Sequence, residues 1–352
     1  MYHTRITPAA LRAENAAGFP GVLDSLAADG AGQHRFLRAA WFAAGAPGGG
    51  HTLVARDENG AALLAIPTTP VGPSPLGARK VPGSYWPLRG VLAAPGAQVE
   101  HIAAALAAPA ARALGPVWRL GPTRADDPVT RVLVEGARAA GWRVISRRAG
   151  TVWTIDLAEL RARGWPSKST ARKLRRYEAR LAELGPVEWR HVRGKDWDEA
   201  ALVAMGSVEA ASWIAAQTDG SGAKFMKPHQ RAIWHTALAD PVLAEMLCAT
   251  ILMIGGRAVA FSFDLDDGPV QYGIAGSYAS DLADYNIGRL TNYRAIADAI
   301  AEGQAVMDMG AGDGGYKREM GAVAAYELVD LLFVKNPLVA KALRGWWEGQ
   351  GL

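Results

Sequence analysis

The sequence predicts an α/β (α+β) protein whose sheets are mixed, largely antiparallel and flanked by helices. Three observations carry that expectation. Helical and strand-like stretches alternate through residues 33–157. A helix followed by an antiparallel hairpin at 33–66 recurs as helices followed by a three-stranded meander at 197–274. The 352 residues, half of them hydrophobic, suffice for two domains of ordinary size or one large one.

Residues 33–44 place Phe36, Leu37, Ala40 and Trp41 at helical spacing, and the glycine-rich run 45–50 ends that helix. Residues 51–56 and 61–66 read as strands joined by a hairpin turn at 57–60. Residues 67–90 are rich in Pro and Gly and read as a loop, with Tyr85 and Trp86 placed to wall a cleft. An Ala-rich helix is expected over 99–114, a short strand over 117–120, and a helix over 127–140 with Asp127 as cap and Pro128 in its first turn. Residues 141–145 and 151–157 read as two further strands.

Ser167 opens a helix reaching 184. Leu174, Tyr177, Leu181 and Leu184 share one face, and Lys168, Arg172, Lys173, Arg175, Arg176 and Arg180 surround it. Such a face is either simply solvated or a dock for a phosphorylated or otherwise anionic substrate or cofactor. A strand at 187–192 and a helix at 197–211 follow, then Ser212, Trp213 and a polar loop, and a helix at 229–238. His229 and His235 are six apart, the wrong interval for two ligands on one helix face, so no metal site is expected.

The meander runs 249–254, 258–264 and 270–274. Asn286 then caps a helix reaching Glu302, with Ile287, Leu290, Tyr293, Ile296, Ala297 and Ile300 buried and Gly303 as its stop. Gly288 and Arg289 lie in its first turn. Free backbone N–H groups, a positive helix end and an arginine together can bind a pyrophosphate.

A strand at 305–308 delivers the chain to Gly310, Gly312, Gly314 and Gly315, interrupted by Asp313 and closed by Tyr316 and Lys317. A tight solvated turn would explain the glycines alone. The two carboxylates Asp308 and Asp313, the phenol and the ammonium make the stretch a place for chemistry. Residues 306–312 also look like the first motif of a methyltransferase. That motif opens a doubly wound domain, and residues 322–352 are too few to build one.

A net charge of +4 is too weak to argue for nucleic acid by itself. The single cysteine, Cys248, sits in an apolar run and reads as a buried thiol; no disulfide can form within the chain, which fits a reducing compartment. Residues 1–8 contain no apolar signal segment, and no apolar run approaches a bilayer span. A soluble, cytoplasmic protein is expected.

From Tyr272 to Gly321 the chain resembles the bacterial CelD/BcsL-type acetyltransferases, in the double-GNAT group that includes the FemAB-type aminoacyl transferases. The matching residues are Tyr285, Asn286, Ile287 and Gly288, then the run from Asp308 to Lys317. The basic helix 167–185, the Ala211, Ser212, Trp213 element and residues 36–41 are similar to further parts of the family pattern. Asn286 stands where the family often has proline, and Met320 where an aromatic residue is common.

The resemblance implies two tandem GNAT-like domains, 1–155 and 156–352, with residues after about 323 packing back on the first. The second would carry the cleft for acetyl-CoA or another acyl-CoA as co-substrate, with no metal. An amine would attack the thioester. Tyr285, Asn286, Gly288 and Arg289 would hold the cofactor. Lys317 would contact substrate phosphate or the oxyanion, Asp308 or Asp313 would act as base or bind the acceptor, and Tyr316 would donate a proton or wall the site. Trp213 and Glu209 would line the acceptor pocket, and Lys168, Arg172 and Arg176 would bind substrate. The implied acceptor is an amino sugar or similar amine precursor of a surface polysaccharide, free or lipid-linked. The alternatives are a FemAB-like transferase using aminoacyl-tRNA and a non-catalytic binding protein.

Overall fold

The computed structural model describes residues 11–30, 35–83, 89–218, 220, 222–312 and 315–349. The chain divides into two compact units, Met1–Val152 with Ala325–Leu352, and Trp153–Ala324.

The first unit begins with β1 (Arg12–Ala17), α1 (Val22–Asp29) and α2 (Ala39–Ala44). The hairpin follows as β2 (His51–Arg56) and β3 (Ala62–Pro70), then the short strands β4 (Arg79–Lys80) and β5 (Leu92–Ala93). Next come α3 (Val99–Ala107), β6 (Val117–Arg124), α4 (Pro128–Ala139) and the long β7 (Arg143–Asp156).

The second unit adds α5 (Leu157–Ala162), α6 (Lys168–Ala182), β8 (Val187–Arg193), α7 (Glu199–Ala210), α8 (Trp213–Gln217), α9 (Pro228–Leu238) and α10 (Pro241–Met246). Its meander is β9 (Leu247–Ile254), β10 (Arg257–Asp267) and β11 (Val270–Tyr278). Then come α11 (Ile287–Ala301), β12 (Val306–Ala311) and α12 (Tyr316–Glu319). The chain ends in the first unit with β13 (Val323–Val334) and α13 (Pro337–Glu348).

Strand order in the first unit is β1-β2-β3-β4-β6-β13-β7, and in the second β12-β11-β10-β9-β8. The same device appears in each unit. Antiparallel strands lead to a crossover that carries helix, and a parallel strand follows: β4 with β6 in the first, β11 with β12 in the second. The first core stacks Trp118 on Phe333 at 3.9 Å. The second packs Tyr177 and Leu181 of α6 against Leu252, Val259, Ile287 and Leu290.

Several expected boundaries shift for local reasons. The helix expected at 33–44 is only α2, because Arg38 is extended at its start; residues 33 and 34 lie outside the described residues. The helix expected over 99–114 stops at Ala107: Ala108 is extended, and Pro109 starts a 3-10 turn. The two strands expected at 141–145 and 151–157 are one strand, β7, since Gly150 did not interrupt pairing. Leu184 is 42% exposed and lies off the buried face of α6, because that helix ends at Ala182. Residues 67–90 include strand and 3-10 structure, and Tyr85 and Trp86 lie outside the described residues. Cys248 is buried, and burial pushes its thiol up, away from nucleophilic use.

Candidate functional site

The meander ends in a divergence. β11 and β12 run parallel and pair at Val270↔Val306, Gln271↔Met307 and Tyr272↔Asp308. Beyond that register β11 continues to Tyr278 and β12 to Ala311 with no further pairing between them among the described residues. On its other edge β11 holds β10, with a register shift between Phe263 and Asp264 that leaves Ile274 as an extra residue. The facing edges past Tyr272 and Asp308 therefore present backbone groups to whatever lies in the opening.

Because β12 is parallel to β11, the helix between them must start at the end where the strands diverge. That helix is α11. Asn286 occupies its N-cap position at φ 59°, and its side chain makes no capping bond. Proline cannot adopt that φ, so none could stand at this position in this backbone. The first-turn N–H groups are left without a side-chain cap among the described residues. A Cβ on Gly288 would come within 2.6 Å of the Tyr278 ring, so glycine is what lets the helix start lie against the end of β11. Tyr285 packs beside the Tyr177 and Leu181 cluster, and the Arg180 guanidinium lies 4.8 Å from its ring centre. Arg289 is ion-paired with Glu319 of α12.

The glycine loop is tied from inside. The Asp308 carboxylate accepts from Gly310 N at 2.7 Å. Lys317, buried, donates to the carbonyls of Gly310 and Ala311 at 2.9 Å and of Gly312 at 3.1 Å. Three consecutive carbonyls converge on one ammonium because Gly310 and Gly312 take φ of 76° and 86°. The structure thus shows Lys317 organising the loop. Asp313 lies outside the described residues. Tyr316, at the start of α12, is 46% exposed, and partial burial holds its hydroxyl above the usual phenol range.

Ser280 N donates to Ala211 O at 2.9 Å, joining the end of α7 to the turn that leads into α11. Trp213 stands next to this junction, 48% exposed. Glu209 is held differently from its expected pocket role. It is buried, and its two oxygens accept from Lys224 N, Phe225 N and Met226 N at 2.8, 2.7 and 3.0 Å. It clamps the segment before α9.

Lys168, Arg172 and Arg176 are exposed on α6 at intervals of four, which aligns them in one row. The next member, Arg180, donates to Asp284 O at 3.2 Å in the turn before α11. The row therefore runs toward the uncapped helix start. Ser280, Glu319 and Tyr278 are site neighbours that sequence reasoning missed, and none carried a signal. Arg180 was read there only as one of the cations of the basic helix face.

Residues 168–318 match the family profile described as Acetyltransferase (GNAT) domain. No curated protein matches the chain in sequence. Among solved structures the fold is similar to FemX, with TM-score 0.58 and 10% identity over 87% of this chain and 93% of that one. It is similar to the C-terminal domain of a protein from Agrobacterium fabrum assigned as a lysylphosphatidylglycerol synthetase, with TM-score 0.55 and 13% identity over 93% and 94%. A conserved protein of unknown function from Bacteroides thetaiotaomicron gives TM-score 0.54 and 12% identity over 91% and 99%.

The chain thus carries an N-acyltransferase domain of the GNAT type. Its fold is a mixed α/β one in two compact units, similar to that of FemX. No group of three His, Cys, Asp or Glu residues among the described residues is placed to hold a metal, and no described helix is long and apolar enough to cross a membrane.

Proposed function

We propose that the protein is an acyl-CoA-dependent N-acyltransferase, using acetyl-CoA, that acts in the cytoplasm on an amino sugar or related amine precursor of a surface polysaccharide. The observation that carries this reading is the opening between β11 and β12, closed at one end by the uncapped start of α11. An extended pantetheine arm has amides that suit unpaired strand edges, and a pyrophosphate suits a helix N-terminus. Gly288 and Arg289 would meet that pyrophosphate, with Tyr285 and Asn286 shaping the turn.

In the reaction the acceptor nitrogen attacks the thioester carbonyl carbon, the C–N bond forms and the C–S bond breaks. The proton lost by the amine goes to a loop carboxylate, Asp308 or Asp313. The leaving thiolate takes a proton from Tyr316, whose raised hydroxyl stays protonated at neutral pH. The edge N–H groups of β11 would hold the oxyanion. Lys317 would keep the loop in register, and the row Lys168, Arg172, Arg176 would bind the anionic part of a phosphorylated or lipid-linked acceptor, with Trp213 against its sugar face.

The same cationic row favours one other reading, a FemAB-like transferase that takes aminoacyl-tRNA. Calorimetric titration with acetyl-CoA and desulfo-CoA separates the two. Micromolar binding of both, weakened in Arg289→Ala, supports the proposal. Absence of CoA binding overturns it, and binding of aminoacyl-tRNA in its place would establish the alternative.

A further inference from the structure

We propose that Lys80, Arg89, Arg119 and Arg147 of the first unit form a binding site for the phosphate group of a small-molecule ligand. All four residues belong to the first unit, and the inference does not rest on the CoA reading.

The argument starts from charge. Among the described residues the four cations have one carboxylate near them, that of Asp330 on β13, and two of them take it up. Arg119 donates to it through Nε at 2.7 Å and Nη2 at 2.6 Å, and Arg147 through Nη2 at 2.7 Å and Nε at 3.2 Å. The Trp347 indole of α13 holds both guanidinium groups, at 5.7 and 4.0 Å from its ring centre, and donates to Asp330 O at 3.3 Å. This half of the cluster is a closed, preorganised network.

The other half is incomplete. Lys80 lies directly across the parallel β4–β6 pair from Arg119, on the same face of the sheet. Like charges placed opposite each other destabilise a pair of strands unless something offsets them. The Lys80 ammonium makes no hydrogen bond or ion pair among the described residues. Arg89 donates from Nη1 to Gly121 O at 3.3 Å, while its Nε is buried with no partner among the described residues. An unpaired buried guanidinium N–H is costly, and a charged one more so. Burial and the neighbouring cations hold both groups down, Lys80 below its ordinary value and Arg89 at about 10. Lys80, Arg119 and Arg147 are only partly buried, so solvent and ligand can reach their side of the cluster, while Arg89 Nε itself is covered.

An anion is the missing partner. It must accept from Lys80 of β4, lie beside Arg89 in the segment before β5, and offset more than a single surplus charge. A carboxylate offers two coplanar oxygens and one charge. A phosphate monoester offers three oxygens and close to two charges, which fits the donor set.

The test measures thermal melting and calorimetric binding of the full chain with inorganic phosphate, ADP and a hexose phosphate, in the parent and in Lys80→Met, Arg89→Met and Arg289→Ala. Phosphate is expected to raise the melting temperature of the parent and of Arg289→Ala alike. In Lys80→Met the affinity should fall about tenfold or more. In phosphate-free buffer Lys80→Met should melt no lower than the parent, because one of the crowded charges is gone. A purely structural cation would give the opposite order. If Arg89→Met does not fold, Lys80→Met still decides. Tighter binding of ADP or of the hexose phosphate names the source of the phosphate group. No stabilisation of the parent by any of the three, or equal stabilisation of Lys80→Met, overturns the proposal.

Discussion

Arg289 in the first turn of α11 is ion-paired with Glu319 of α12, so the cation in that uncapped first turn is held from across the loop. Both side chains keep solvent exposure, so the pair orients Arg289 more than it stabilises the fold. Arg289→Ala should weaken CoA binding about tenfold, the loss of one charge-assisted phosphate contact. Glu319→Gln should change it by only about threefold, since the arginine remains. Calorimetry on both variants checks the ratio, and an effect of Glu319→Gln as large as that of Arg289→Ala would show that the pair acts as a structural clamp.

Lys317 donates to three loop carbonyls, and it is buried. Lys317→Met should cost on the order of 3 kcal/mol of stability, because three acceptors lose a charged donor at once. Turnover should fall with it. Lys317→Arg should not rescue, since a planar fork cannot converge on three consecutive carbonyls as an ammonium does. Melting curves set beside acetyl-transfer rates make the comparison. A fully stable but inactive Lys317→Met would move the lysine from organising the loop to the chemistry itself.

Tyr316 is half exposed at the start of α12. Tyr316→Phe should leave the melting temperature unchanged and lower kcat by about a hundredfold, the size of a lost general acid. An unchanged kcat would reduce the residue to a wall of the site.

Asp264 is buried beside the bulge in β11. Burial pushes its carboxyl up to about 7, with Asp298 adding to the rise, while the Ser262 hydroxyl donating at 2.7 Å works against it. The folded chain therefore keeps a proton that the unfolded chain releases near pH 4. Between about pH 4 and 7 stability should fall by roughly 1.4 kcal/mol per unit as pH rises, then level off. Asp264→Asn should flatten that slope and melt higher than the parent at about pH 8. Denaturant titrations across the range test this, and parallel slopes for parent and variant would show that Asp264 stays ionised in the fold.

Much of the second unit was legible in the chain. The meander, the cap at Ser167, the breaker at Gly303 and the glycine loop are all local signals, each set by the conformational range of a few residues. The roles of Glu209 and Lys317 were not legible. Each looks like a reactive group in sequence, and each is buried against backbone groups that only folding brings near. The cluster at Asp330 was invisible for the same reason. Arg119 and Arg147 meet a carboxylate on a strand that returns from the far end of the chain.

What the sequence by itself determined is the class of fold, the order of its helices and strands, and the stretch around which an acyltransferase domain is built. Periodicity and turn chemistry act over a few residues, so they survive in a one-dimensional reading. Which charges are paired, which helix start is left open and where two parallel strands part were decided by tertiary structure alone. Those outcomes depend on backbone partners distant in sequence, and on whether burial leaves a polar group with one.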